Sequence, residues 1–132
     1  GHVDNVAAFT TPGHVLLQGC NNTCEDDYAR MFVNEKVARS SLSGRAEQLK
    51  VDVVPVLPFV EFDSGRVVVP YLNFYIGNNV VVIPVTGHDA DNDMVQMIGQ
   101  FFPGRDMVPL EIGRILAVGG GGIHCITQQV PA

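Results

Sequence analysis

Cys125 is the residue whose surroundings most suit chemistry. It stands three positions after a run of four glycines, Gly119 to Gly122, and directly after His124. Glycines let backbone approach a ligand closely and leave N–H groups free to meet it. A thiol in such an open, polar setting can ionise and attack an electrophile. Residue types alone leave a second reading open, a buried structural cysteine behind a flexible turn. The glycines do not form a phosphate loop, because no Gly-Lys-Ser/Thr follows them.

His2-Val3-Asp4, at the opposite end of the chain, is the second candidate. In a strand, positions i and i+2 share a face, so His2 and Asp4 would point into one site. Imidazole moves protons near neutral pH, and a carboxylate grips a cation through paired hydrogen bonds. By themselves these two also read as ordinary surface residues. Cys20 and Cys24, spaced C-x₃-C, would need His14 or His88 to complete a zinc site; a second matched pair is missing, and no metal is expected. Asp89, Asp91 and Asp93 alternate as calcium ligands do. No glycine or terminal Glu completes an EF-hand loop, so a helix-capping loop is the expectation.

Composition narrows the classes. The chain has 132 residues, enough for a real core, with 46% hydrophobic and 17% charged residues, which excludes a disordered chain. Its net charge of −6, from 14 acidic against 8 basic residues, argues against nucleic acid and suits a small cationic partner. No apolar run approaches the roughly 20 residues needed to cross a bilayer, so no membrane partner is expected. Three cysteines are too few for a disulfide framework, and a reducing cytoplasm is the expected compartment.

The elements that must position these residues alternate strand pairs with helices. Val3 to Phe9 reads as a strand, Thr11-Pro12-Gly13 as a turn, and His14 to Gln18 as the returning strand. Glu25-Asp26-Asp27 reads as the acidic first turn of a helix reaching about Leu42. Val51 to Leu57 is a strand, and a hairpin follows around Asp63-Ser64-Gly65. A second pair, Leu72 to Ile76 and Val80 to Val85, turns at Gly77-Asn78-Asn79 and leads into a helix over Asp91 to Phe102. Met107 to Leu110 and Ile123 to Gln128 are the last strands. His2-Val3-Asp4-Asn5, Tyr71-Leu72-Asn73-Phe74 and Ile123-His124-Cys125-Ile126 each put a polar residue early in a strand after a turn. This recurrence predicts repeated strand–strand–helix modules, not a parallel doubly wound sheet.

Taken together, Gly1-His2-Val3-Asp4-Asn5, Tyr71-Leu72-Asn73-Phe74-Tyr75-Ile76, Phe101-Phe102-Pro103 and the run Gly119 to Gly122 with Ile123-His124-Cys125-Ile126-Thr127-Gln128-Gln129 resemble the agmatine deiminase family, within the Porphyromonas-type peptidylarginine deiminase superfamily. The resemblance spans the chain in the family's order. It implies a pentein-like fold, a five-bladed α/β propeller, of which residues 1–132 would be a single incomplete catalytic domain from the C-terminal section. It also implies hydrolysis of agmatine to N-carbamoylputrescine and ammonia, a step of polyamine biosynthesis, with no cofactor. Cys125 would be the nucleophile, His2 the general acid and base, and Asp4 a catalytic, guanidinium-binding carboxylate. A small guanidino substrate is the implied partner, and a homo-oligomer of the full-length enzyme is allowed.

Two departures are local: the family often has Asn at the place of Gly122, and usually Ser at the place of Pro70. A third is larger. The family's Arg-Asp-x-Gly and Glu-Gly-Gly-Asn motifs, which supply another guanidinium-binding Asp and a catalytic Glu, are absent. The chain begins at the His motif without Met and ends seven residues past Cys125. A fragment of roughly two to three blades is therefore expected, inactive or nearly so alone. The competing readings are a deiminase of peptidyl-arginine or another guanidino group, a non-catalytic propeller piece, and a thiol protease. The last usually starts a helix with its nucleophile, whereas Cys125 reads as strand.

Overall fold

The computed structural model describes residues 2–55, 59–62 and 65–130. They fall into two compact units, Ala7–Val56 on one hand and Gly1–Val6 with Leu57–Ala132 on the other.

In the first unit β1 (Ala7–Thr11) and β2 (His14–Gly19) form an antiparallel hairpin, with Ala7 opposite Leu17 and Phe9 opposite Val15. The chain then crosses over through α1 (Tyr28–Ser40) to β3 (Lys50–Pro55), which pairs with β2 in parallel. The middle strand, β2, carries Val15, Leu16 and Leu17 as a continuous buried run, as expected of a strand covered on both faces. Met31, Val51 and Val54 complete that core.

The second unit repeats the plan. A hairpin of β4 (Phe59–Phe62) and β5 (Gly65–Val68) comes first; Asp63 and Ser64 lie outside the described residues. A turn through Tyr71 and Asn73 enters β6 (Tyr75–Ile76), which pairs antiparallel with β7 (Val80–Pro84). After α2 (Asp91–Gly99), β8 (Asp106–Leu110) pairs with β7 in parallel. Asp91, Met94 and Ile98 share the buried face of α2. Phe102 meets Phe74 edge to face, with centroids 5.3 Å apart. A short α3 (Gly113–Val118) leads to the glycine run.

The expected module is present but larger: in both units a third strand follows the helix and pairs in parallel. No sheet of the described residues closes on itself. Several expected strands are corrected. Val3–Asn5 is a single 3-10 turn, and regular strand starts only at Ala7. Ile123 to Gln128 holds a 3-10 turn over His124–Ile126, and Leu72 to Ile76 is strand only at its last two residues. The physical cause is local. The backbone N–H groups of Asn5 and Val6 bond back to His2 and Val3 oxygens, and those of Ile126 and Thr127 to Ile123 and His124, so these donors close turns and not a ladder. The helix expected from Glu25 begins at Tyr28 and ends at Ser40. No helix among the described residues is long and apolar enough to cross a membrane.

Candidate functional site

Every residue of the site lies in the second unit. His2 is extended and exposed, and the tight turn after it brings Asp4 back beside Cys125. His2 and Asp4 therefore converge, but through a 3-10 turn and not through a shared strand face. Asn5 ties this turn to the glycine run: its Nδ2 donates to the Gly120 oxygen at 2.8 Å.

Asp4 is the hub. Its Oδ2 lies 2.9 Å from His124 Nδ1 and accepts from Cys125 Sγ at 3.2 Å. Its Oδ1 is buried with no hydrogen-bond partner. Burial pushes the carboxyl up. Hydrogen bonds from His124 and Cys125, the nearby Asn73 amide and the attraction of His124 outweigh that, and together hold Asp4 below its ordinary 3.8.

Asn73 fixes the cysteine. It is fully buried, its Oδ1 accepts the Cys125 N–H at 3.0 Å, and its Nδ2 donates to Cys125 Sγ at 3.2 Å. Its backbone oxygen accepts the His124 N–H at 3.0 Å. One asparagine thus holds both residues of the His-Cys pair. Two glycines make room. A Cβ on Gly122 would stand 2.7 Å from Asn73 Cβ, and one on Gly121 would stand 2.8 Å from Cys125 Sγ.

The turn carrying Asn73 is itself pinned. Tyr71 donates its hydroxyl to Asp91 Oδ1 at 2.6 Å, while Asp91 Oδ2 accepts the backbone N–H groups of Thr86, Gly87 and His88. Burial, then the hydrogen bond and the charge of Asp91, raise the Tyr71 hydroxyl far above its usual range, so it stays a donor. Asp91 fastens the loop before α2, whereas the expected side-chain cap is not formed: the N-cap is Ala90. His88 accepts the Ala90 N–H in the same loop. Cys20 and Cys24 belong to the other unit, where both contact Asn22, and His14 bridges Thr10 and Asp52.

One ring nitrogen of His2, one carboxylate oxygen of Asp4 and the Cys125 sulfur lie within 4.8 Å of one another. A thiol, an imidazole and a carboxylate thus meet at an accessible surface. Sequence reasoning named all three but missed Asn73, Asn5 and the turn of His124 toward Asp4. The available signal was Asn73 itself, a polar residue inside an apolar stretch, where burial demands partners.

The family profile described as Porphyromonas-type peptidyl-arginine deiminase matches residues 1–131. A Legionella pneumophila protein named "Putative agmatine deiminase" is 35% identical over 99% of this chain, which spans 38% of that relative's length. The solved agmatine deiminase of Enterococcus faecalis is similar with a TM-score of 0.83 at 27% identity, over 99% of this chain and 40% of its own. A solved Porphyromonas gingivalis structure, "Putative Arginine Deiminase", has a TM-score of 0.89 at 22% identity, over 99% of this chain and 38% of its own, which speaks for the fold.

Proposed function

The chain belongs to the Porphyromonas-type peptidyl-arginine deiminase family, and from that premise we propose that it carries part of the active site of a guanidine hydrolase acting on agmatine. The observation behind this reading is the gathering of the Cys125 sulfur, an Asp4 oxygen and a His2 nitrogen within 4.8 Å. The relatives' names favour agmatine, and the net charge of −6 suits a cation. Residues 1–132 serve as an incomplete catalytic domain, a section of a five-bladed α/β propeller.

The chemistry is as follows. Asp4 accepts guanidinium N–H groups through its carboxylate. The Cys125 thiolate, with the Asn73 Nδ2 donor at its sulfur, attacks the central carbon. The C–N bond to the terminal nitrogen breaks as His2 delivers a proton, and ammonia leaves behind an amidino-thioether. Water then adds to the same carbon while His2 takes its proton. The C–S bond breaks, releasing N-carbamoylputrescine and regenerating the thiolate.

The test follows ammonia and N-carbamoylputrescine from agmatine, using this chain and a form extended to its relatives' length. The extended form is expected to turn over, Cys125→Ser to abolish product, and Asp4→Asn to cost on the order of a hundredfold in kcat/KM. Product formation surviving Cys125→Ser would end this reading. The exposure of His2 and Cys125 favours one second reading, a peptidyl-arginine side chain as substrate. An arginine-containing peptide, run beside agmatine, separates the two.

A further inference from the structure

We propose that His2, Asp4 and Cys125 also bind a thiophilic divalent cation of the zinc type, and that the bound ion silences the cysteine. Among the described residues they are the one group of three such side chains gathered closely enough to share an ion. Their nitrogen, oxygen and sulfur donors suit zinc, with bonds of about 2.0–2.3 Å. Around a tetrahedral ion those lengths set donors roughly 3.3–3.7 Å apart. The Asp4 Oδ2 to Cys125 Sγ spacing of 3.2 Å already approximates one edge. The remaining separations, at most 4.8 Å, need to close by about 1 Å, which the exposed His2 can supply by rotating its own side chain.

The other two donors are held in advance. Asn73 grips Cys125 through its N–H and its sulfur, while Asn5 fastens the Asp4 turn to Gly120. Asp4 offers one carboxylate oxygen to the ion. Three protein donors at an accessible surface leave a fourth position for water. On binding, the thiol proton now shared with Asp4 goes to solvent, and the sulfur lone pair forms the S–Zn bond. A sulfur so engaged no longer attacks carbon. The loss of catalysis rests on the hydrolase reading above, but the binding does not, so the two can fail separately.

The experiment uses the 132-residue chain with Cys20→Ser and Cys24→Ser, which removes the other thiols. Co²⁺ is titrated as the spectroscopic probe and Zn²⁺ by calorimetry. One ion per chain is expected, with a thiolate-to-cobalt charge-transfer band that Cys125→Ser eliminates. Asp4→Asn and His2→Ala should each weaken binding about tenfold or more. Saturating Zn²⁺ should block iodoacetamide alkylation of Cys125, and EDTA should restore it; this arm needs no variant at the site to fold. Binding unchanged in Cys125→Ser, or alkylation at full rate under saturating zinc, overturns the proposal.

Discussion

Gly122→Ala should damage both the stability of the chain and the reactivity of Cys125. The added Cβ would meet Asn73 Cβ at 2.7 Å, Oδ1 at 2.8 Å and Cγ at 3.0 Å. Asn73 is fully buried and cannot swing away without giving up its bonds to Cys125 N and Sγ. The choice is between overpacking, about 1–3 kcal/mol, and a buried amide left unpaired, also about 1–3 kcal/mol. A loss of about 2 kcal/mol in urea unfolding is expected, with alkylation of Cys125 slowed at least about tenfold. Gly121→Ala is a second probe: its Cβ would meet Cys125 Sγ at 2.8 Å and Cβ at 2.9 Å, and rotation moves only the sulfur, so it too should slow alkylation. Wild-type stability and alkylation in Gly122→Ala would mean that Asn73 does not hold the cysteine as described.

Tyr71→Phe should cost about 1.5–3 kcal/mol in urea unfolding, the range for a hydrogen bond to a charged group, because Asp91 Oδ1 loses the Tyr71 donor. Unchanged stability would show that Asp91 holds its loop through Oδ2 alone. Asp4, depressed below 3.8 when folded, should stabilise fully above that pH and lose its contribution as pH falls through its lower folded value. Unfolding of wild type and Asp4→Asn between about pH 2 and 7 should therefore differ at neutral pH and converge in acid; a gap widening in acid would refute the assignment. Ammonia release from agmatine by the 132-residue chain alone should stay near the Cys125→Ser blank, because Asp4 is the one carboxylate beside the sulfur among the described residues. Turnover like that of an intact enzyme would refute this.

Side-chain identity made part of the site legible, and backbone conformation hid the rest. Cys125, His2 and Asp4 stood out because few residue types do nucleophilic and proton-transfer chemistry. The strands drawn around them failed because apolar neighbours such as Val3, Leu72 and Ile126 suggest ladders, whereas the local hydrogen bonds close turns. The short α3 went unseen since six residues give too little helical period to read. In the fold, the central strands β2 and β7 and the strands after each helix were legible from their apolar runs, while the parallel pairing between them was not. Parallel pairing joins distant segments and leaves no local sequence mark.

These failures share a location. Asp4, Asn73 and the His124-Cys125 pair all sit on tight turns, two of them 3-10, and not inside strands. A turn can present a side chain and a backbone N–H toward the same point, which a strand, alternating faces, does less readily. Asn73 uses that freedom fully, bonding one backbone N–H, a second backbone N–H and a sulfur from a single residue. The recurring polar residue was thus the right feature in the wrong element. What recurs is a polar turn ahead of an antiparallel strand pair, seen at Asp4 before β1 and β2 and at Asn73 before β6 and β7. The third polar turn, at Cys125, has no strand after it among the described residues and brings its thiol to the Asp4 and Asn73 turns.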